Sequence, residues 1–81
     1  MIKLYVRSDC PFCMKVISRA RQLELVEGRE YELINAAQGT PGRETVEKLG
    51  GKSQVPFLVD GKTQMFESDA IVGYLDRRFG S

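Results

Sequence analysis

The chain has 81 residues, 42% hydrophobic and 28% charged, with 12 basic and 11 acidic side chains and a net charge of +1. That length bounds it to a single domain over residues 1–81 with a modest core. The near balance of charge gives no reason to expect nucleic acid or an anionic membrane as a partner. No apolar run approaches the roughly 18 residues that span a bilayer. The opening "MIKLYVRSDC" has neither the apolar run nor the small-residue cleavage site of a signal peptide. A cytoplasmic, reducing setting is the expectation, and in it a permanent structural disulfide is disfavoured.

Residues 2–6, "IKLYV", alternate Ile2, Leu4 and Val6 against Lys3 and Tyr5, the period of a strand. Pro11 stands where a helix would begin, a position at which its missing N–H has no partner to lose. From Phe12 to about Leu25, Cys13, Val16, Ile17, Ala20 and Leu23 recur at helical spacing, with Lys15, Ser18, Arg19 and Gln22 opposite, and Glu27-Gly28 reads as the stop. Residues 29–35, "REYELIN", predict a second strand. Residues 39–51, "GTPGRETVEKLGG", predict a short helix capped by Thr40, entered through Pro41 and ended at Gly50-Gly51, with a thin apolar face of Val46 and Leu49. Residues 55–67, "VPFLVDGKTQMFE", are two apolar runs about Asp60-Gly61, a hairpin signal. Ser68 is the expected cap of a last helix, with Asp69 at its positive end and Ile71, Val72, Leu75 and Phe79 as its buried stripe. The predicted order is β-α-β-α-β-β-α, an α/β fold. A parallel β-α-β unit and a closing antiparallel hairpin make a four-stranded mixed sheet flanked by helices.

The chemistry concentrates in "SDCPFCMKV", residues 8–16, which holds both cysteines of the chain. Structural zinc takes four ligands, mostly Cys and His, and this chain has two Cys and no His. No resident metal is expected: a site within one chain would need carboxylates or exogenous ligands, and otherwise two chains would share a zinc or, with two glutathiones, an iron–sulfur cluster. The absence of His also excludes Cys-His and Ser-His-Asp nucleophile systems. "GTPGRE" lacks the Lys and the spacing of a phosphate loop. Redox chemistry fits better. Cys10 falls at the start of a helix, near unpaired N–H groups and the positive end of the dipole, which favours a thiolate there. Cys13 lies one turn on and deeper, placed to attack a mixed disulfide formed at Cys10. Arg7 and Lys15 add positive charge nearby and Asp9 opposes it.

With these landmarks the sequence resembles the glutaredoxin branch of the thioredoxin-fold superfamily over Ile2 to about Phe79. "CPFC" at 10–13, "QVPFL" at 54–58 and "ESDAIVGYLD" at 67–76 carry the resemblance. The last of these is most similar to the N-terminal domain of glutathione S-transferases and of two-domain, GST-like glutaredoxins. No all-helical domain follows within the chain, so a free-standing version is expected. The departures are Gln54 in place of a common Thr, Arg7 where Lys is usual, and "MFESD" in place of a double-glycine turn.

The resemblance implies a thioredoxin-like fold and a glutathione-dependent dithiol thiol–disulfide oxidoreductase, with Cys10 as nucleophile and Cys13 as resolving thiol. It implies glutathione as co-substrate. Val55, before a cis Pro56, would meet the peptide backbone of glutathione, and Glu67, Ser68 and Asp69 its γ-glutamyl end. Arg7, with Lys52 or Gln54, would meet the glycyl carboxylate. Phe12 would be a rim to the thiol site. Disulfide-containing or glutathionylated proteins are the implied partners, with neither nucleic acid nor membrane, and the chain is expected to be a monomer. Two further readings stay open: an iron–sulfur cluster module shared between two protomers, and an electron donor fed by thioredoxin reductase. A glutathione transferase usually needs a second domain for its electrophile.

Overall fold

The computed structural model describes residues 1–80. Its elements are β1 (Ile2–Val6), α1 (Pro11–Gln22), β2 (Tyr31–Asn35), α2 (Pro41–Gly50), β3 (Phe57–Asp60), β4 (Thr63–Phe66) and α3 (Ser68–Phe79). The sheet order is β2-β1-β3-β4. β1 pairs in parallel with β2, Leu4 opposite Leu33, and antiparallel with β3, Leu4 opposite Leu58. β3 and β4 close as an antiparallel hairpin. This is the mixed four-stranded sheet expected from the order of elements, and the thioredoxin-like fold that the resemblance implies.

β1 is central, and both of its faces are covered. Ile2, Leu4 and Val6 pack with Cys13, Val16, Ile17 and Ala20 of α1 and Ile71 and Leu75 of α3. Tyr5 points to the other face, into a smaller cluster with Ala36, Val46 and Phe57 beneath α2. Leu4, Val16, Ala20, Val46, Leu58, Ile71 and Leu75 have no exposed surface. Burying a Leu or Val side chain contributes about 1.5–3 kcal/mol, so these few residues carry much of the stability of so short a chain. The stripe assigned to α3 is buried at Ile71 and Leu75 and only partly covered at Val72 and Phe79.

Three boundaries differ from expectation, each for a local reason. α1 stops at Gln22 rather than near Leu25. Glu24 takes the left-handed conformation, with φ +62°. The Glu24 N–H then donates to the Arg21 carbonyl at 2.9 Å and the Leu25 N–H to the Ala20 carbonyl at 3.0 Å. These two bonds form a Schellman motif, which satisfies the last carbonyls of the helix. The hairpin turn lies one residue later than Asp60-Gly61 suggested. Asp60 pairs with Thr63, leaving Gly61-Lys62 as the loop, with Gly61 at φ +62° as a type II′ turn wants. Asp60 itself is drawn to α3, where its carboxylate accepts from the Tyr74 hydroxyl and from Arg78 Nε at 3.2 Å. Ser68 is not the cap of α3 but its first helical residue. The cap position belongs to Glu67, which makes no side-chain cap hydrogen bond.

α2 follows expectation at both ends. The Arg43 N–H donates to Thr40 Oγ1 at 3.2 Å, and Gly51 closes the helix at φ +81°. Val46 is fully buried and Leu49 is exposed, so the apolar face is as thin as its sequence suggests.

A glutamate in the left-handed region costs roughly 1–2 kcal/mol that glycine does not. The substitution Glu24→Gly is therefore expected to stabilise the fold by about 1 kcal/mol, read as a higher urea midpoint with an unchanged slope. An unchanged or lower midpoint would show that the motif at the end of α1 carries no such strain.

Candidate functional site

The strand-to-helix turn after β1 places Cys10 at the N-cap of α1 in extended conformation, φ −106° and ψ 112°. Its sulfur serves as the cap: the Cys13 N–H donates to Cys10 Sγ at 3.2 Å. Pro11 occupies the first helical position. Cys10 is 5% exposed and Cys13 not at all, and neither is in a disulfide. The order of depth matches expectation, although Cys10 is recessed rather than open.

Burial pushes the Cys13 thiol up to about 12, assisted by its hydrogen bond to Cys10 and by the charge there. A main-chain hydrogen bond from Arg7 acts in the opposite direction. Cys13 is therefore a protonated thiol at neutral pH.

The positive charge expected beside Cys10 is engaged elsewhere. Arg7 Nε lies 2.7 Å from Asp9 Oδ1, an ion pair without hydrogen-bond alignment. Lys15 donates to Asp69 across the gap between α1 and α3. One turn along, Arg19 makes a parallel pair with Asp76 at 2.7 Å. What faces the sulfur of Cys10 is thus the N–H of Cys13 and the open first turn of α1.

Beside this turn lies a cavity of about 350 Å³ lined by Phe12, Gln54, Val55, Pro56, Glu67, Ser68 and Asp69. Phe12 is 64% exposed and forms one rim. Opposite it, the Val55–Pro56 peptide is cis. Val55 precedes β3, so its main chain is not committed to the β1 or β4 register. Glu67 and Ser68 form the far end, where β4 turns into α3. Gln54 Nε2 donates to Glu67 Oε2 at 2.9 Å and joins the two walls. Glu67 is held at φ +74°, ψ 121°, a sparsely populated conformation costing about 1–3 kcal/mol. Ser68, 8% exposed, begins α3, and Asp69 stands in its first turn. The end of the cavity therefore combines helix N–H groups, suited to a carboxylate, with carboxylates suited to an amine.

Seven of the residues singled out from sequence thus share one cavity, next to the two cysteines. Arg7 does not join them. It lines a separate depression of about 440 Å³ with Val6, Ser8, Ile17, Leu33 and Asn35. Lys52 is also elsewhere, its ammonium 4.7 Å from the centre of the Phe66 ring. Sequence reading missed Arg43, which reads as one more charge on an exposed helix face but is 4% exposed and bonded behind the Gln54 wall.

The comparisons with known proteins agree with this fold. Residues 4–81 match the family described as glutathione S-transferase, N-terminal domain. Among solved structures, the trimeric glutathione transferase TDR1 of Leishmania is 33% identical with a TM-score of 0.77, over 94% of this chain and 16% of that one. Bombyx mori glutathione transferase BmGSTD1 is 29% identical with a TM-score of 0.81, over 99% of this chain and 36% of that one. A glutathione transferase homolog of Drosophila mojavensis, determined with bound glutathione, is 24% identical and shares the fold, with a TM-score of 0.83 over 99% of this chain and 36% of that one. No curated protein matches. The chain belongs to the glutathione S-transferase N-terminal domain family, within the thioredoxin fold, and spans between 16% and 36% of the length of these three relatives. No helix among the described residues is long and apolar enough to cross a membrane.

The state of Cys13 gives a pH dependence with a definite sign. Between about pH 9 and 12 the folded chain keeps a proton that the unfolded chain has lost. This contribution to stability is complete below pH 9 and disappears as pH rises through 12, at about 1.4 kcal/mol per pH unit. Tyr31, raised mainly by burial, and Tyr74, raised mainly by its bond to Asp60, act in the same sense. The comparison that isolates the thiol is Cys13→Ala, whose urea stability is expected to fall less steeply between pH 8.5 and 10.5 than that of the wild type. Parallel slopes would refute a raised Cys13.

Proposed function

We propose that this chain is a glutathione-dependent thiol–disulfide oxidoreductase of the glutaredoxin type acting through Cys10. The observation that carries this reading is the Cys10 sulfur at the N-cap of α1, receiving the Cys13 N–H at 3.2 Å, beside the cavity formed by Phe12, Val55 and Glu67 to Asp69. Helix N-termini favour anionic sulfur, the form that attacks disulfides.

In the proposed reaction the Cys10 thiolate attacks the glutathione sulfur of a glutathionylated protein. The protein thiolate leaves, and glutathione remains bonded to Cys10. A second glutathione thiolate attacks that glutathione sulfur, forming oxidised glutathione and restoring Cys10. For a protein disulfide, Cys10 attacks one sulfur, and Cys13, after losing its proton, attacks Cys10 and releases the second protein thiolate. Two glutathione molecules then reduce the Cys10–Cys13 disulfide. The cavity would hold glutathione with its peptide backbone along Val55. Its γ-glutamyl carboxylate would lie at the first turn of α3 and its amine at Glu67 and Asp69. Because Cys13 holds its proton so firmly, the route through glutathionylated substrates is expected to be the faster.

A second reading, conjugation of glutathione to an electrophile, is favoured by the family match and by relatives named as glutathione transferases. Assays of Cys10→Ser and Cys13→Ser for both reactions separate the two. Oxidoreduction predicts that Cys10→Ser loses deglutathionylation by at least about a hundredfold, whereas Cys13→Ser keeps most of it. A wild type that conjugates 1-chloro-2,4-dinitrobenzene and does not deglutathionylate would overturn the proposal in favour of the transferase.

A further inference from the structure

Arg43 is the one charged side chain fully buried among the described residues, at 4% exposure. No carboxylate pairs with it among the ion pairs of those residues. It also stands in the first turn of α2, where the helix dipole disfavours a cation. Burying an unpaired charge is costly, so the groups that receive it indicate what the arrangement achieves. Arg43 Nε donates to the Ala36 carbonyl at 2.7 Å, just beyond β2, and Nη1 donates to Ser53 Oγ at 3.0 Å. Gly42 makes the approach feasible, since a Cβ there would lie 2.1 Å from the Asn35 carbonyl oxygen. The guanidinium thus ties the end of β2 and the start of α2 to the segment that runs from Gly51 into Val55. That segment makes no other side-chain contact with α2 through a hydrogen bond among the described residues, and its next two residues, Gln54 and Val55, form a wall of the cavity.

We propose that Arg43 is a positioning residue for the candidate site: through Ser53 it sets where Gln54 and Val55 stand, and so how tightly the cavity holds its ligand. With respect to glutathione, this rests on the function proposed above. Arg43 touches neither the ligand nor the sulfur in this role. It acts through the backbone on either side of Ser53 and through the bond from Gln54 to Glu67 on the opposite wall.

The test uses Ser53→Ala, because Arg43→Met also removes the bond to the Ala36 carbonyl and disturbs a buried position. Ser53 is exposed, so its loss leaves α2 packed and lets water reach the guanidinium. Losing one hydrogen bond to a charged group corresponds to roughly a tenfold effect. Titration calorimetry is expected to show glutathione binding about tenfold weaker in Ser53→Ala, with Ser53→Thr restored to near the wild type. Turnover should show a raised KM for glutathione with kcat unchanged. Without ligand, the backbone amide order parameters of Gln54 and Val55 are expected to fall in Ser53→Ala, while that of Val46 does not change. Unaltered order parameters at Gln54 and Val55 would overturn the inference, as would unaltered affinity in a chain that binds glutathione. A wild type that binds no glutathione would instead remove the proposed function, leaving the amide order parameters to decide the role of Arg43.

Discussion

The first turn of α1 is closed by a sulfur atom, and the arrangement of the site follows from that. Helix starts have four N–H groups without helical partners, usually met by the oxygen of Ser, Thr, Asp or Asn. Here Cys10 Sγ receives the Cys13 N–H. The atom proposed to react and the structural cap are the same atom, so its position is set by the packing of β1 and α1 rather than by a mobile loop. β1 lies between β2 and β3, and α1 rests on it through Val16, Ile17 and Ala20. Any shift of the sulfur would require the centre of the molecule to shift.

The cavity beside this sulfur is assembled from segments far apart in the chain. Phe12 comes from α1, Gln54 to Pro56 from the approach to β3, and Glu67 to Asp69 from the entry to α3. The antiparallel pairing of β1 with β3 brings the second segment beside the first, and the β3–β4 hairpin returns the third. Two local costs accompany this geometry. Glu67 is held at positive φ and Arg43 is buried without a carboxylate. Neither helps the core, and both lie on or directly behind a cavity wall, where strain is typically retained for a purpose other than stability.

Much of this was legible in sequence because each element announces itself locally. The alternation of residues 2–6, Pro11 after a polar loop, Thr40-Pro41 and the closing glycine all act within a few residues. The misreadings occurred where a residue adopts a conformation its type seldom takes. Glu24 in the left-handed region ends α1 early, and Glu67 at positive φ takes the cap position assigned to Ser68. Arg43 could not be read at all, since a charge in an amphipathic stretch ordinarily faces water, and only the close approach at Gly42 turns it inward. Arg7 stands where its sequence position does not suggest. It is three residues from Cys10 in sequence, yet it lines the depression between β1, α1 and β2, away from the cavity of Phe12 and Glu67.

The causes acting on Cys13 also imply an order of events in the proposed cycle. Burial raises the thiol most, followed by its hydrogen bond to Cys10, with the charge on Cys10 also contributing. Once Cys10 is bonded to another sulfur it carries no charge and is a poorer acceptor, so two of these three causes weaken together. Burial alone then opposes ionisation, against the continuing pull of the Arg7 main chain and charge. In the proposed cycle Cys13 would therefore be easier to ionise once Cys10 has reacted than before. For the resolving role proposed for Cys13, the reaction at Cys10 would thus ease ionisation without a moving part, while burial, the largest of the causes, stays in place.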